Sequence, residues 1–121
     1  MASVLVVEDN DISQKLVGAL LENEGHTVEL ATSGEEAIEV AKQLHPSLIL
    51  MDIGLPGTDG IEVARMMKSD AEISDIPVVM LSGHAMADHR VRAKEAGVND
   101  FLTKPFEIAD FVKVVRRNIS S

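Results

Sequence analysis

The sequence predicts an α/β protein: a five-stranded parallel sheet, doubly wound, with helices on both faces. Three observations lead there. Short runs rich in Val, Ile and Leu alternate from end to end with segments of helical spacing. Those runs show little polar alternation, the pattern of strands covered on both sides. Strict strand–helix alternation calls for a parallel sheet with right-handed crossovers.

Taken in order, Val4 to Val7 is the first strand. Asp11 to Asn23 is a helix with Leu16, Val17, Leu20 and Leu21 on one face and Gly25 as its stop. Thr27 to Ala31 is a weaker strand. Ser33-Gly34-Glu35-Glu36 reads as a capping box for a helix carrying Ala37, Ile38, Val40, Ala41 and Leu44, closed by Pro46. Leu48 to Asp52 is the third strand, followed by the turn signal Leu55-Pro56-Gly57. Asp59 caps a helix with Ile61, Val63, Ala64, Met66 and Met67. Pro77 opens the strand ending at Ser82. Met86 to Ala96 is a helix ending at Gly97, and Phe101 to Thr103 is a short strand. Glu107 to Asn118 is an amphipathic helix with Ile108, Phe111, Val112 and Val115 on its buried side. Arg116 and Arg117 lie near its C-terminus, where cations complement the helix dipole.

A chain of 121 residues can bury one core, and residues 1–121 read as one domain with no linker, repeat or low-complexity stretch. There is no cysteine, which excludes disulfides and thiolate metal sites. Nothing at the N-terminus resembles a signal peptide, and no apolar run approaches the ~20 residues that span a bilayer, so a soluble, cytoplasmic protein with no membrane contact is expected. Twenty acidic residues against 11 basic give a formal charge of −9, which repels phosphate backbones. With no Trp or Tyr and three Phe, a base-stacking platform is hard to build, so no nucleic-acid partner is expected.

The functional signal lies where the apolar runs end. Val4-Leu5-Val6-Val7 leads into Glu8-Asp9, Leu48-Ile49-Leu50-Met51 into Asp52, Val78-Val79-Met80-Leu81 into Ser82, and Phe101-Leu102-Thr103 into Lys104-Pro105. Parallel strands gather those ends in one crevice, where open α/β sheets place their ligands. Three carboxylates crowd together only around a cation, and hard oxygen donors favour Mg²⁺. The expectation is a metal-assisted site for an anionic group, and a phosphoryl group fits best.

On these motifs, Leu5 to Asn10, Leu50 to Gly60, Val79 to Gly83 and Phe101 to Phe106, the chain resembles a response-regulator receiver domain of two-component signalling, over essentially its whole length. The resemblance implies a flavodoxin-like (βα)5 fold and a phosphoryl group taken from a histidine kinase or histidine phosphotransfer protein. Asp52 is then the phosphoacceptor, its carboxylate attacking phosphorus to form an acyl phosphate. Asp9 and Asp52 bind Mg²⁺ (or Mn²⁺) directly, the Ile53 carbonyl adds a third protein ligand, and Glu8 acts through water. Lys104 pairs with Asp52 or with a phosphoryl oxygen, Ser82 donates to another phosphoryl oxygen, and a cis peptide before Pro105 aims Lys104 inward. The family's two-state switch falls on Ser82 and Phe101 and repacks the surface of the fourth helix, fifth strand and fifth helix, which is read by a downstream protein. The protein is then a monomer or a phosphorylation-dependent dimer, and a signalling receiver that catalyses only its own phosphorylation and dephosphorylation. It is either a stand-alone relay or a receiver from a longer kinase or regulator.

The chain departs from the usual pattern in places. The acidic pair is Glu-Asp, Ser82 stands where Thr is common, and Phe101 lacks the phenolic hydroxyl often found at the switch position. Gly54 and His84 sit where the family tunes phosphoryl lifetime, and Gly54 shields nothing. Asn10, Ile12, Ser13, Pro105 and Phe106 are the candidate face for a histidine-bearing helix bundle, and they read equally well as a helix start and core. His26, His45 and His89 show no metal-ligand spacing. An aspartyl-nucleophile phosphatase is the enzymatic rival, but Gly54 stands where its second acid belongs. A flavin module needs a glycine-bearing phosphate loop in place of Glu8-Asp9-Asn10-Asp11. A docking-only receiver has no use for the complete acidic set and Lys104.

Overall fold

The structure, a computed structural model, describes residues 2–55, 59–82 and 87–119, with the backbone alone at 87–89. Ten elements alternate along the chain: β1 (Ser3–Val7), α1 (Asp11–Asn23), β2 (Thr27–Ala31), α2 (Gly34–Leu44), β3 (Leu48–Asp52), α3 (Gly60–Ser69), β4 (Val78–Ser82), α4 (Ala87–Glu95), β5 (Asp100–Thr103) and α5 (Ile108–Asn118). All strands are parallel, in the order β2-β1-β3-β4-β5. This is the doubly wound, flavodoxin-like arrangement that the sequence predicts, with its switch point between β1 and β3.

Alternation along each strand divides the core into two layers. Leu5, Val7, Ile49, Met51, Val78 and Met80 pack with Ala37 and Ala41 of α2, Ile61, Ala64 and Met67 of α3, and Ala93 of α4. Val4, Val6, Leu48, Leu50, Val79, Leu81 and Leu102 pack with Val17 and Leu21 of α1 and with Phe111, Val114 and Val115 of α5. The apolar residues of β1, β3 and β4 are essentially inaccessible, so the centre of the sheet is sealed on both faces and its ends are open to chemistry, while edge strand β2 leaves Leu30 48 % exposed.

Caps and stops place the helices. Asn10 Oδ1 accepts from Ser13 N–H at 3.0 Å and Asp59 Oδ1 from Ile61 N–H at 2.9 Å. Ser33 Oγ accepts from Glu36 N–H, while the Glu36 carboxylate accepts from Thr32 N–H, one residue earlier than the capping box requires. Gly25 and Gly97, at φ 87° and 91°, take the left-handed conformation after α1 and α4. Arg116 pairs with Glu24 and Arg117 grips Asp100 through two hydrogen bonds, tying α5 to the end of α1 and to β5.

The apolar stripes are narrower than the sequence suggests. On α1, Val17 and Leu21 face the sheet four residues apart, and Leu16, about 100° around the helix from Val17, is 51 % exposed. On α5 the seam runs through Phe111, Val114 and Val115, leaving Ile108 of the first turn 61 % exposed. Among the described residues no helix is long and apolar enough to cross a membrane.

Candidate functional site

Strand register brings the candidate residues together. Val7 of β1 lies beside Met51 of β3, so the next residue on each strand, Glu8 and Asp52, falls at the same end of the sheet. Asp52 in turn lies beside Leu81, and Ser82 beside Thr103, so Ser82 and Lys104 follow one residue later on β4 and β5. The ladder continues past the strand ends: Glu8 N–H donates to Ala31 O at 3.0 Å, Ile53 N–H to Leu81 O at 3.0 Å, and Lys104 N–H to Ser82 O at 2.6 Å. The Lys104–Pro105 peptide is cis.

Lys104 Nζ sits between two carboxylates, 2.9 Å from Asp52 Oδ2 and 3.1 Å from Glu8 Oε2. Asp52 Oδ1 accepts from Gly54 N–H at 2.8 Å. Glu8 Oε1 accepts from Asn10 N–H at 3.0 Å, and the Glu8 carbonyl accepts from the Gln14 side-chain amide. Ser82 is buried beside this group, at 2 % exposure.

These contacts separate the two acids. Burial, then the adjacent Asp52, raises the Glu8 carboxyl above its ordinary range, against the opposing pull of Asn10 N–H and Lys104. Burial also disfavours the Asp52 anion, but hydrogen bonds from Glu8, Lys104 and Gly54 outweigh it and hold Asp52 below its ordinary range. Lys104 is raised: burial opposes its charge, and Asp52 and Glu8 more than compensate. Of the two acids, Asp52 ionises more readily and Glu8 retains its proton more readily.

A pH prediction follows. Folded Glu8 binds its proton more tightly than the unfolded chain, so its contribution to stability falls as pH rises from 4.5 through the raised folded value. Asp52 acts oppositely, contributing stability above 3.8 that is lost as pH falls through its lowered value. In metal-free buffer the melting temperature is therefore expected to decline across the interval just above pH 4.5. Glu8→Gln, which keeps an acceptor for Asn10 N–H, should flatten that decline and raise the melting temperature at neutral pH by roughly 3 °C. An unchanged slope in the variant would show that Glu8 is not the strained acid.

The crevice differs from the sequence expectation in one respect. Glu8 and Asp52 close on Lys104, whereas Asp9 is exposed and its side chain makes no hydrogen bond or ion pair among the described residues. Among the described residues no group of three acidic or imidazole side chains is gathered there, and the carboxylates in contact are a pair around an ammonium. The donor chemistry still fits a hard divalent cation. It consists of carboxylates and backbone carbonyls, with Asp52 close enough to Glu8 to raise its proton affinity.

Gly54 lies two residues past Asp52, where an added Cβ meets Asp52 Oδ1 at an ordinary 3.5 Å. Phe101 is half-buried on β5 against the core. His84, with Pro56, Gly57, Thr58 and Gly83 of the motifs, lies outside the described residues. His45 pairs with Asp75 at 3.1 Å, and His26 Nδ1 is buried without a partner among the described residues. Ser13, Leu16, Val17, Lys104, Pro105 and Phe106 line a groove of about 230 Å³, and Ile12 beside Ser13 is 78 % exposed. Phe106 stacks on Phe111 at 5.3 Å, which fixes one wall of the groove.

Sequence reasoning assigned no part to Gln14 or Gly60. A Cβ on Gly60 would lie 2.6 Å from the Asp52 carbonyl oxygen and 3.0 Å from Ile53 Cα. The Asp-Gly pair before a helix was the available signal, and it reads first as a cap.

Residues 4–116 match the family model described as the response regulator receiver domain. The chain is similar to the polar-differentiation response regulator DivK of Brucella ovis and Brucella abortus: 37 % identical over 114 residues, covering 94 % of this chain and 93 % of the relative. Among solved structures it is similar to the receiver domain of a sensor histidine kinase from Pseudomonas aeruginosa with magnesium coordinated in its active-site cleft, at 32 % identity and TM-score 0.90, covering 99 % and 98 % of the two chains. It is also similar to the chemotaxis response regulator CheY4 of Vibrio cholerae, at 27 % identity and TM-score 0.91, covering 98 % and 99 %.

Proposed function

Because the chain belongs to the response regulator receiver domain family of two-component signalling, we propose that Asp52 accepts a phosphoryl group from a phosphohistidine on a kinase or phosphotransfer protein and that the modified chain signals by changing its protein contacts. The observation that carries this reading is an ionised Asp52 held by Lys104 at the switch point of the sheet. A carboxylate oxygen of Asp52 attacks phosphorus, the O–P bond forms as the N–P bond breaks, and the electron pair leaves on the donor imidazole.

Each neighbour has a task in that transfer. Gly54 N–H fixes the rotamer of the attacking carboxylate through Oδ1. Lys104, released from Asp52, pairs with the new phosphoryl oxygens and stays anchored by Glu8. Ser82, buried at the end of β4, donates to a second phosphoryl oxygen. Asp9, Asp52 and the Ile53 carbonyl are the residues that would hold Mg²⁺ or Mn²⁺, and Glu8 would act through water. A cation bound there would offset the charge that accumulates on the phosphoryl oxygens.

The groove lined by Ser13, Pro105 and Phe106 opens onto Lys104. It is the seat for the donor protein's histidine-bearing helix, with Asn10 holding the start of α1 and Ile12 supplying apolar contact. Signal leaves through Ser82 and Phe101 to a downstream protein in the cytoplasm, and Gly54 and His84 set how long the phosphoryl group lasts.

The test is incubation with acetyl phosphate with and without Mg²⁺, followed by intact mass measurement. Wild type is expected to gain a Mg²⁺-dependent phosphoryl adduct, and Asp52→Asn to gain none. An adduct that survives the substitution, or none in wild type, removes the reading.

A further inference from the structure

Helix α4 is attached differently from its neighbours. On the same face of the sheet α3 buries Ile61, Val63, Ala64 and Met67. From α4 and its exit turn, the buried apolar side chains among the described residues are Ala93 and Ala96, and Val91 is 56 % exposed. Among the described side chains, these two alanines supply little apolar purchase on the sheet. Arginines make contacts on both flanks. Arg92 forms an ion pair with Asp59, the N-cap of α3. Arg90 places its guanidinium over the Phe101 ring, 4.9 Å from the centroid, and reaches Thr103 Oγ1 at 3.5 Å.

Both flanks meet the crevice. Asp59 precedes Gly60, whose backbone lies against the Asp52 carbonyl with no room for a methyl group. Thr103 lies beside Ser82 in the β4–β5 register and precedes Lys104. A groove of about 310 Å³, lined in part by Arg90, Ala93, Val98 and Phe101, lies where the helix meets β5.

We propose that Arg90 and Arg92 are a releasable clamp: they help hold α4 onto the sheet and couple its seating to the two segments that frame the crevice, Asp59-Gly60 and Phe101 to Thr103. The contacts suit release. The Arg92–Asp59 side chains are 44 % and 37 % exposed, so the pair is weak and salt-sensitive. A ring contact by an exposed arginine is of similar strength. Movement of the Asp52 backbone is transmitted through the Gly60 contact to Asp59, and from there to Arg92.

Amide hydrogen exchange of the unmodified full chain, read by mass spectrometry, tests this independently of the phosphoacceptor reading. Arg90→Gln with Arg92→Gln is expected to speed exchange across residues 87–97 about tenfold while β2 and α5 keep wild-type rates. Arg92→Lys should retain most of the protection, and roughly 0.5 M salt should reproduce part of the loss in wild type. Lys94→Gln, which removes a charge from the same helix with no ion pair among the described residues, should change nothing. Unchanged exchange in the double variant, an equal rise throughout the chain, or the same acceleration in Lys94→Gln would overturn the clamp.

Discussion

Gly60→Ala is expected to lower folding stability by about 3 kcal/mol and the melting temperature by roughly 10 °C. An added Cβ meets the Asp52 carbonyl oxygen at 2.6 Å, Ile53 Cα at 3.0 Å and the Ile53 carbonyl oxygen at 3.2 Å. All three are backbone atoms at the end of a buried central strand, so no side chain can rotate away. Either α3 lifts from the sheet, exposing Ile61 and Ala64, or the Asp52–Ile53 peptide shifts. Alanine's better helix propensity returns at most about 1 kcal/mol. Thermal and urea unfolding measure the stability term. The acetyl phosphate reaction measures the second consequence, because a shifted Asp52 backbone misplaces the carboxylate that Gly54 and Lys104 hold. Gly54→Ala is the control: its Cβ finds ordinary contact at 3.5 Å, so a far smaller loss is expected. Equal stability of Gly60→Ala and wild type would mean that α3 is not pressed against the end of β3.

The contrast between these glycines shows what the chain discloses and what it withholds. The sheet was legible because parallel strands all end on one side, so the residues after Val7, Met51, Leu81 and Thr103 converge whatever the loops do. Burial on both faces wrote those strands as unbroken apolar runs. Which of Glu8 and Asp9 turns inward was not legible. Successive residues of an extended chain point opposite ways, and the choice depends on the ladder running one residue past β1, through Glu8 N–H to Ala31 O. Leu16 and Ile108 read as core because a helical stripe does not state its own width. The approach of Gly60 to Asp52 and the pairing of Arg92 with Asp59, 33 residues apart, belong to tertiary placement and leave no periodic trace.

Lys104→Met is expected to have the other large effect, a loss of about 2 kcal/mol at neutral pH in metal-free buffer. The substitution keeps the apolar stem and removes the ammonium that sits 2.9 Å from Asp52 and 3.1 Å from Glu8. Their side chains are 17 % and 5 % exposed, so water replaces little of what is lost. Fully buried pairs cost more when broken, and the 24 % exposure of the Lys104 side chain reduces the figure. Without Lys104, Asp52 loses a main cause of its lowered proton affinity and Glu8 loses an opposing pull, so both acids move upward. The variant then binds protons more readily when folded than wild type does, and its deficit should shrink as pH falls through the carboxylate range. Adding Glu8→Gln to Lys104→Met should recover about half of the loss, since one anion no longer faces another. Added Mg²⁺ should raise the melting temperature of Lys104→Met more than that of wild type, because a divalent cation replaces the missing charge at the same carboxylates. A deficit independent of pH, of Glu8 and of Mg²⁺ would assign Lys104 a packing role and separate it from the electrostatics of the crevice.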